Sequence, residues 1–266
     1  MQKDAFVLSH LGLGDNIMLI GAIRHLATLY KNVYVVCKKQ NEENMNILYE
    51  DDPNIILYKV DNDINISPKY GCPISNFKTL TNNKCVFLSG GHCMTKLPCS
   101  YELLPFNFYI DMNIEPIHFW NSFKINYPPK SKELYTTLQD ISYIFIHNTC
   151  STGTVFKIEE IEDKLNLNKN NILVINPCEN IYEKNHAFYS IANYFINHKL
   201  PYYIDIIINA STIILTDSSF WCLSMNLPIK TKHCYVYSRD HVKYDHIYEK
   251  QYQFPNNKSI FKNIKF

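Results

Sequence analysis

The sequence predicts an α/β fold of two Rossmann-like domains facing a cleft. Three observations predict it. The length of 266 residues suits two domains of common size. Apolar strand-like runs alternate with helix-like segments in the first half, and the alternation restarts at Tyr143. Between the halves lies Tyr127-Pro128-Pro129-Lys130-Ser131-Lys132, whose prolines and lysines read as a stiff, solvated linker. The expected domains are 1–128 and 129–266.

In the first half, Ala5–Ser9 reads as a buried strand, and Gly12 and Gly14 punctuate the turn after it. Asn16–Tyr30 follows with Ile17, Ile20, Ile23, Ala27 and Tyr30 near helical spacing. Val33–Cys37 is a second strand. Asn41–Glu50 is a helix stopped by Asp51-Asp52-Pro53. Asn54–Val60 and Cys85–Leu88 complete the strands, and the latter ends at Ser89-Gly90-Gly91. The stretch Tyr101–Trp120 is aromatic and irregular.

In the second half, Tyr143–His147, Ile172–Asn176, Thr212–Thr216 and Cys234–Tyr237 read as strands. Ile158–Leu165, Ala187–Asn197, Tyr202–Ala210 and Phe220–Met225 read as helices, with Ile204, Ile207 and Ile208 on one side of the third.

Composition narrows the partners. With 26 basic and 25 acidic residues the formal charge is +1, so no global field draws in nucleic acid or an anionic membrane. An anionic ligand must be held by a local site. No apolar run approaches the length of a membrane span, and the N-terminus does not read as a signal peptide. The nine cysteines show no Cys-x-x-Cys pair. Cys72, Cys85, Cys93 and Cys99 with His92 therefore read as reduced thiols rather than a zinc site, and a reducing, cytoplasmic setting follows.

Three polar turns follow apolar strands, where ligands of open parallel sheets bind. The first is Leu11-Gly12-Leu13-Gly14-Asp15-Asn16. Its glycines allow close backbone approach, and Asp15 is either a helix cap or a functional carboxylate. A dinucleotide fingerprint would need glycine where Ile17 stands, and Lys38-Lys39 replaces the acid expected after strand two. The second turn is Thr216-Asp217-Ser218-Ser219 before Phe220-Trp221. Hydroxyls and a helix start suit a phosphate there, against the alternative of a plain capping motif. It lacks the G-x-S-x-G of a hydrolase elbow. The third is His147-Asn148-Thr149-Cys150-Ser151-Thr152-Gly153, with Lys157 beyond it. Asp61 and Asp63 form an Asp-x-Asp pattern of the kind that metal-dependent GT-A transferases use.

Taken in order, these residues resemble the GT-B glycosyltransferases of the lipopolysaccharide heptosyltransferase superfamily, and compact relatives from large DNA viruses and bacteria. The likeness rests on Gly12-Leu13-Gly14-Asp15, Tyr143–His147, Lys157, Asn209-Ala210 and Thr216–Ser219 with Phe220-Trp221-Cys222-Leu223-Ser224. It spans residues 5 to about 228. The resemblance implies that Asp15 is the catalytic base. It implies a donor site of Gly14, His147, Lys157, Thr216, Asp217, Ser218 and Ser219, with Lys184 as the rival lysine, and Gly12 and Asn16 toward the acceptor. The segment between Lys157 and Asp217 is shorter than in the family, and Ser219 stands where the family has a second glycine, so the resemblance does not specify ADP-heptose. The implied reaction is inverting, metal-independent transfer from a nucleotide-sugar donor to a glycan or other hydroxyl acceptor, without a cofactor. An NAD(P)-dependent enzyme, a metal-dependent GT-A transferase and a non-catalytic nucleotide- or sugar-binding module are the other readings.

Overall fold

A computed structural model describes residues 3–8, 10–61, 85–90, 104–151, 153–165, 168, 170–237 and 261–264. The chain divides into two compact units, Met1–Asn126 and Tyr127–Phe266.

The first unit is built on a parallel sheet of β1 (Asp4–Leu8), β2 (Val33–Lys38), β3 (Ile55–Val60) and β4 (Cys85–Ser89), in the order β3-β2-β1-β4. Its helices are α1 (Leu13–Met18), α2 (Ile20–Leu29), α3 (Glu42–Tyr49), α4 (Leu104–Asp111) and α5 (His118–Asn121). Phe6, Leu8, Leu11, Val36 and Val60 form a buried cluster, against which Tyr34, Tyr58 and Phe87 pack. The helix expected over Asn16–Tyr30 begins earlier and is two helices, with Leu19 between them at φ −83°, ψ −7°.

Two features explain how the helices of this unit pack. Gly21 lies where α2 meets α5, and a Cβ there would fall 2.1 Å from the His118 carbonyl oxygen. No side chain fits that crossing. Arg24 is buried and ties α2 to the end of α3. It donates to the Leu48 carbonyl at 3.1 Å, the Lys124 carbonyl at 2.9 Å, Asp51 at 2.5 Å and Asp52 at 3.2 Å. A buried guanidinium with its donors engaged escapes most of the desolvation cost that an unpaired one would carry.

The second unit begins with α6 (Pro129–Thr136). This corrects the expected linker at Tyr127–Lys132. Pro129 opens a helix, where its missing N–H costs nothing, and Ser131 is fully buried, accepting from the Asp205 amide at 2.8 Å. A five-stranded parallel sheet follows: β5 (Tyr143–His147), β8 (Leu173–Ile175), β9 (Thr212–Thr216), β10 (Cys234–Tyr237) and β11 (Phe261–Asn263) in the order β11-β10-β9-β5-β8. Between β5 and β8 lie the short antiparallel pair β6 (Thr149–Cys150) and β7 (Gly153–Thr154), then α7 (Ile158–Leu165). The remaining helices are α8 (Tyr189–Tyr194), α9 (Ile204–Asn209) and α10 (Ser219–Ser224). The stretch expected as one helix over Tyr202–Ala210 instead opens with a 3₁₀ turn at Leu200–Tyr203. Phe145, Tyr203 and Phe220 pack ring on ring under the sheet, at 5.5–5.9 Å between centroids.

Both sheets reverse direction of growth at one point. In the first unit β2 and β3 add to one side of β1 and β4 to the other. In the second, β8 adds to one side of β5 and β9, β10 and β11 to the other. The carboxyl ends of β1 with β4, and of β5 with β9, are therefore the topological switch points where such sheets bind ligands. Each unit is Rossmann-like. Among the described residues, no helix is long and apolar enough to cross a membrane.

Candidate active site

At the first switch point the chain leaves β1 and turns into α1. Gly12 is the N-cap of α1, with φ −61° and ψ 148°. It has no side chain, so the cap position offers no side-chain acceptor. Asp15 lies three residues on, in the first turn of the helix, half-buried. Asp15 therefore stands at the third position of the helix rather than at the N-cap itself. Its carboxylate folds back over Gly12: a Cβ built on Gly12 would lie 2.6 Å from Asp15 Oδ2. Gly14 is half-buried and Gly12 is exposed, which leaves open backbone beside the carboxylate.

Two amides hold this turn from below. Asn16 Nδ2 donates to the Gly12 carbonyl at 3.0 Å, and Asn41 Nδ2 to the Leu11 carbonyl at 3.0 Å. Asn16, expected beside an acceptor, is buried, and its Oδ1 has no hydrogen-bond partner. Asn41 was not singled out from the sequence. Its signal is a polar residue in the segment after a strand, adjoining a helix start. Asp51 and Asp52 are held by Arg24, and the half-buried Glu42 pairs with Lys59 at 2.9 Å. Lys39 is paired with Asp61 at 2.6 Å, and Asp63 lies outside the described residues, as do Cys72, Cys93, Cys99 and His92.

At the second switch point, β5 delivers His147 and β9 delivers Thr216. His147 is opposite Leu215 in the ladder, one residue before the turn. Thr216 is fully buried. Asp217 is nearly so, and its amide donates to the Tyr237 carbonyl at 3.1 Å. These two residues form the floor of the turn, and Ser218 and Ser219 are its half-buried rim. Ser218 is the N-cap of α10, yet its hydroxyl does not cap the helix. It meets His147 Nδ1 at 3.1 Å instead. The imidazole is 6% exposed and sits against the Phe220 ring at 4.4 Å between centroids. Burial pushes its pKa down to about 4, so at neutral pH it is uncharged.

The polar chain continues beyond what the sequence suggested. Thr149 Oγ1 lies 3.3 Å from His147 Nε2 and 3.1 Å from Cys178 Sγ. Asn148 and Asn176, each following a run of buried strand residues, are both buried, and Asn176 Nδ2 donates to Asn148 Oδ1 at 3.0 Å. Asn176 Oδ1 accepts from the Cys178 amide at 2.9 Å. A polar residue directly after an apolar strand was the available signal for both.

Lys157 is exposed, with its amide donating to Glu160 at 2.9 Å. Its base is anchored at the switch point. The carbonyl of Phe156 accepts from Asn148 Nδ2 at 3.1 Å, and the Phe156 ring packs on Tyr237 at 5.6 Å. Lys184 is also exposed, but it follows Tyr182, whose hydroxyl is held at the other end of β8 by Ile172 and Val174.

No protein-family model matches the sequence, and no protein of curated function matches it. Solved structures do match. The iron-containing dodecameric glycosyltransferase TibC from enterotoxigenic E. coli H10407 is 13% identical with a TM-score of 0.54. TibC described as a heptosyltransferase in complex with ADP-D-β-D-heptose is 12% identical with a TM-score of 0.52. In both, the match covers 89% of this chain and 58% of theirs, so the chain spans little more than half the length of these relatives. A glycosyl transferase of family 9 from Veillonella parvula DSM 2008 is 11% identical with a TM-score of 0.51, covering 89% of this chain and 80% of that one. At such identities the likeness is one of fold alone: this chain is similar in fold to these glycosyltransferases.

Proposed function

We propose that the chain is a glycosyltransferase that moves a sugar from a nucleotide-diphosphate donor to an acceptor hydroxyl, with inversion and without a metal ion. The carrying observation is the turn at Ser218. There a hydroxyl held by a buried, uncharged imidazole sits at a sheet switch point, beside the anchored base of Lys157. The GT-B-like fold supports the same reading.

In this reading Ser218 and Ser219 donate to the diphosphate, Thr216, Asp217 and His147 support them, and Lys157 supplies positive charge. Asp15 takes the proton of the acceptor hydroxyl as its oxygen attacks the anomeric carbon. The bond from that carbon to the phosphate oxygen breaks, and the nucleoside diphosphate leaves with its new charge facing Lys157. Gly12 and Gly14 leave room for the acceptor beside Asp15, and Asn16 holds the Gly12 carbonyl in place. The reaction would run in the cytoplasm and serve glycan biosynthesis.

The test begins with thermal melts in the presence of UDP, GDP, ADP, CMP and dTDP, with NAD(P) alongside. A ligand of the native state raises the melting point and adds about 2.7 kcal/mol of stability at a hundred times its Kd. The matching nucleotide sugar is then offered in EDTA, and release of nucleoside diphosphate is followed. Stabilisation by NAD(P) alone would reject the reading. Nucleotide binding with neither transfer nor hydrolysis would leave a binding module.

A further inference from the structure

Three side chains line up behind the donor turn: Ser218 Oγ at 3.1 Å from His147 Nδ1, and His147 Nε2 at 3.3 Å from Thr149 Oγ1. We propose that Thr149 is a positioning residue whose hydroxyl fixes the tautomer of His147, so that the Ser218 hydroxyl is turned outward to donate to a phosphate oxygen of a nucleoside diphosphate. This rests on the donor reading of the Ser218 turn given above.

An uncharged imidazole carries one N–H donor and one bare acceptor nitrogen. A hydroxyl placed against each nitrogen therefore permits two proton orders. In one, Ser218 donates to Nδ1, and Nε2–H donates to Thr149. The Ser218 proton is then consumed inside the protein, and an incoming phosphate oxygen meets only lone pairs. In the other, Thr149 donates to Nε2, Nδ1–H donates to Ser218, and the Ser218 proton is free to point at the ligand. Phosphate oxygens that have lost their protons accept only, so Ser218 can donate to a bound diphosphate only in the second order.

Thr149 is built to hold that order. When it donates to Nε2, its oxygen is left to accept, and Cys178 Sγ lies 3.1 Å away as the S–H donor. A thiol is a weak donor, so the hydroxyl of Thr149 carries the constraint. The residue is fixed in place by the β6–β7 pair, where it stands opposite Thr154, and by the Val155 amide donating to the Asn148 carbonyl at 2.8 Å. The imidazole of His147 is itself buried and sits against the Phe220 ring. Ser218 lies in one polar turn of the sequence and His147 and Thr149 in another, and the fold of β5, β6 and β9–α10 brings the two turns together.

The test uses the full chain labelled with ¹⁵N-histidine, the His147 signals being assigned by their loss in His147→Asn. ADP, UDP, GDP and dTDP are titrated in turn, and affinity and tautomer are read together. With the diphosphate that binds, His147 is expected as the Nδ1–H form. Thr149→Val, which keeps the shape and removes the hydroxyl, is expected to weaken affinity by about tenfold, the effect of losing one hydrogen bond, and to lose the tautomer preference. Thr149→Ser is expected to restore both. Bound wild type with the proton on Nε2 overturns the inference while leaving the donor reading intact, as does wild-type affinity in Thr149→Val. If none of the four diphosphates binds the wild-type chain, the donor reading and the inference fall together.

Discussion

Asn176 donates its side-chain amide to the side-chain oxygen of Asn148 at 3.0 Å, joining the carboxyl ends of β8 and β5. Each amide also holds a loop: Asn148 binds the Phe156 carbonyl, and Asn176 the Cys178 amide. Asn176→Ala would strand one buried polar group, Asn148 Oδ1. An unsatisfied group of this kind costs about 1–3 kcal/mol. Urea unfolding should show a loss of about that size, and an unchanged midpoint would mean that the pair is dispensable.

Gly12→Ala is predicted to impair turnover without impairing the fold. The backbone at Gly12 is extended, with φ −61°, so alanine carries no conformational penalty there. The new methyl would lie 2.6 Å from Asp15 Oδ2, and the carboxylate must move aside. A catalytic group displaced by about 1 Å costs up to about 10²-fold in rate. Melting temperature and nucleotide affinity should stay near wild type. Wild-type turnover in this variant would show that the Asp15 position tolerates the shift.

His147 makes stability depend on pH. Unfolded, the imidazole has its ordinary pKa of 6.5, and burial lowers it to about 4 in the folded chain. Between these values the unfolded state binds more protons, so stability rises with pH across the window. The contribution is fully present above pH 6.5 and is lost as pH falls toward about 4. It amounts to about 3 kcal/mol across that range. Unfolding free energies of wild type and His147→Asn, measured from pH 7.5 to 4, should converge toward acid. Parallel curves would contradict the buried, uncharged imidazole.

Lys157→Ala should weaken nucleoside-diphosphate binding by about tenfold or more, as expected for loss of a charge-assisted contact. Lys184→Ala should leave it unchanged. The reverse pattern in isothermal titration would exchange the two lysines.

The strands were the most legible part of the sequence. Tyr143–His147, Thr212–Thr216 and Cys234–Tyr237 are strands with the bounds that their apolar runs suggest. Buried parallel strands have few other ways to be written. Pro128-Pro129 misled, because a proline at the first helical position looks like a linker when the helix behind it is polar. The break at Leu19 was invisible because apolar periodicity runs straight through it. In the site, Asp15 and Ser218 were legible as polar turns after strands. The contact between Ser218 and His147 joins residues 71 apart, and the Thr149 link depends on a two-residue strand, so neither had a local signature. Arg24, bound to Asp51 and Asp52, likewise reads from sequence as one more polar residue on a helix.

The proposed role of Asp15 as the base of a sugar transfer is read most directly in turnover of Asp15→Asn with the donor found in the nucleotide screen. Asparagine is nearly isosteric, and Gly12 rather than Asp15 occupies the cap of α1, so fold and nucleotide affinity should be retained. Removing a general base lowers turnover by about 10²–10⁴-fold. That loss is expected at wild-type nucleotide affinity and a melting temperature close to wild type. Transfer by Asp15→Asn at near the wild-type rate would contradict it.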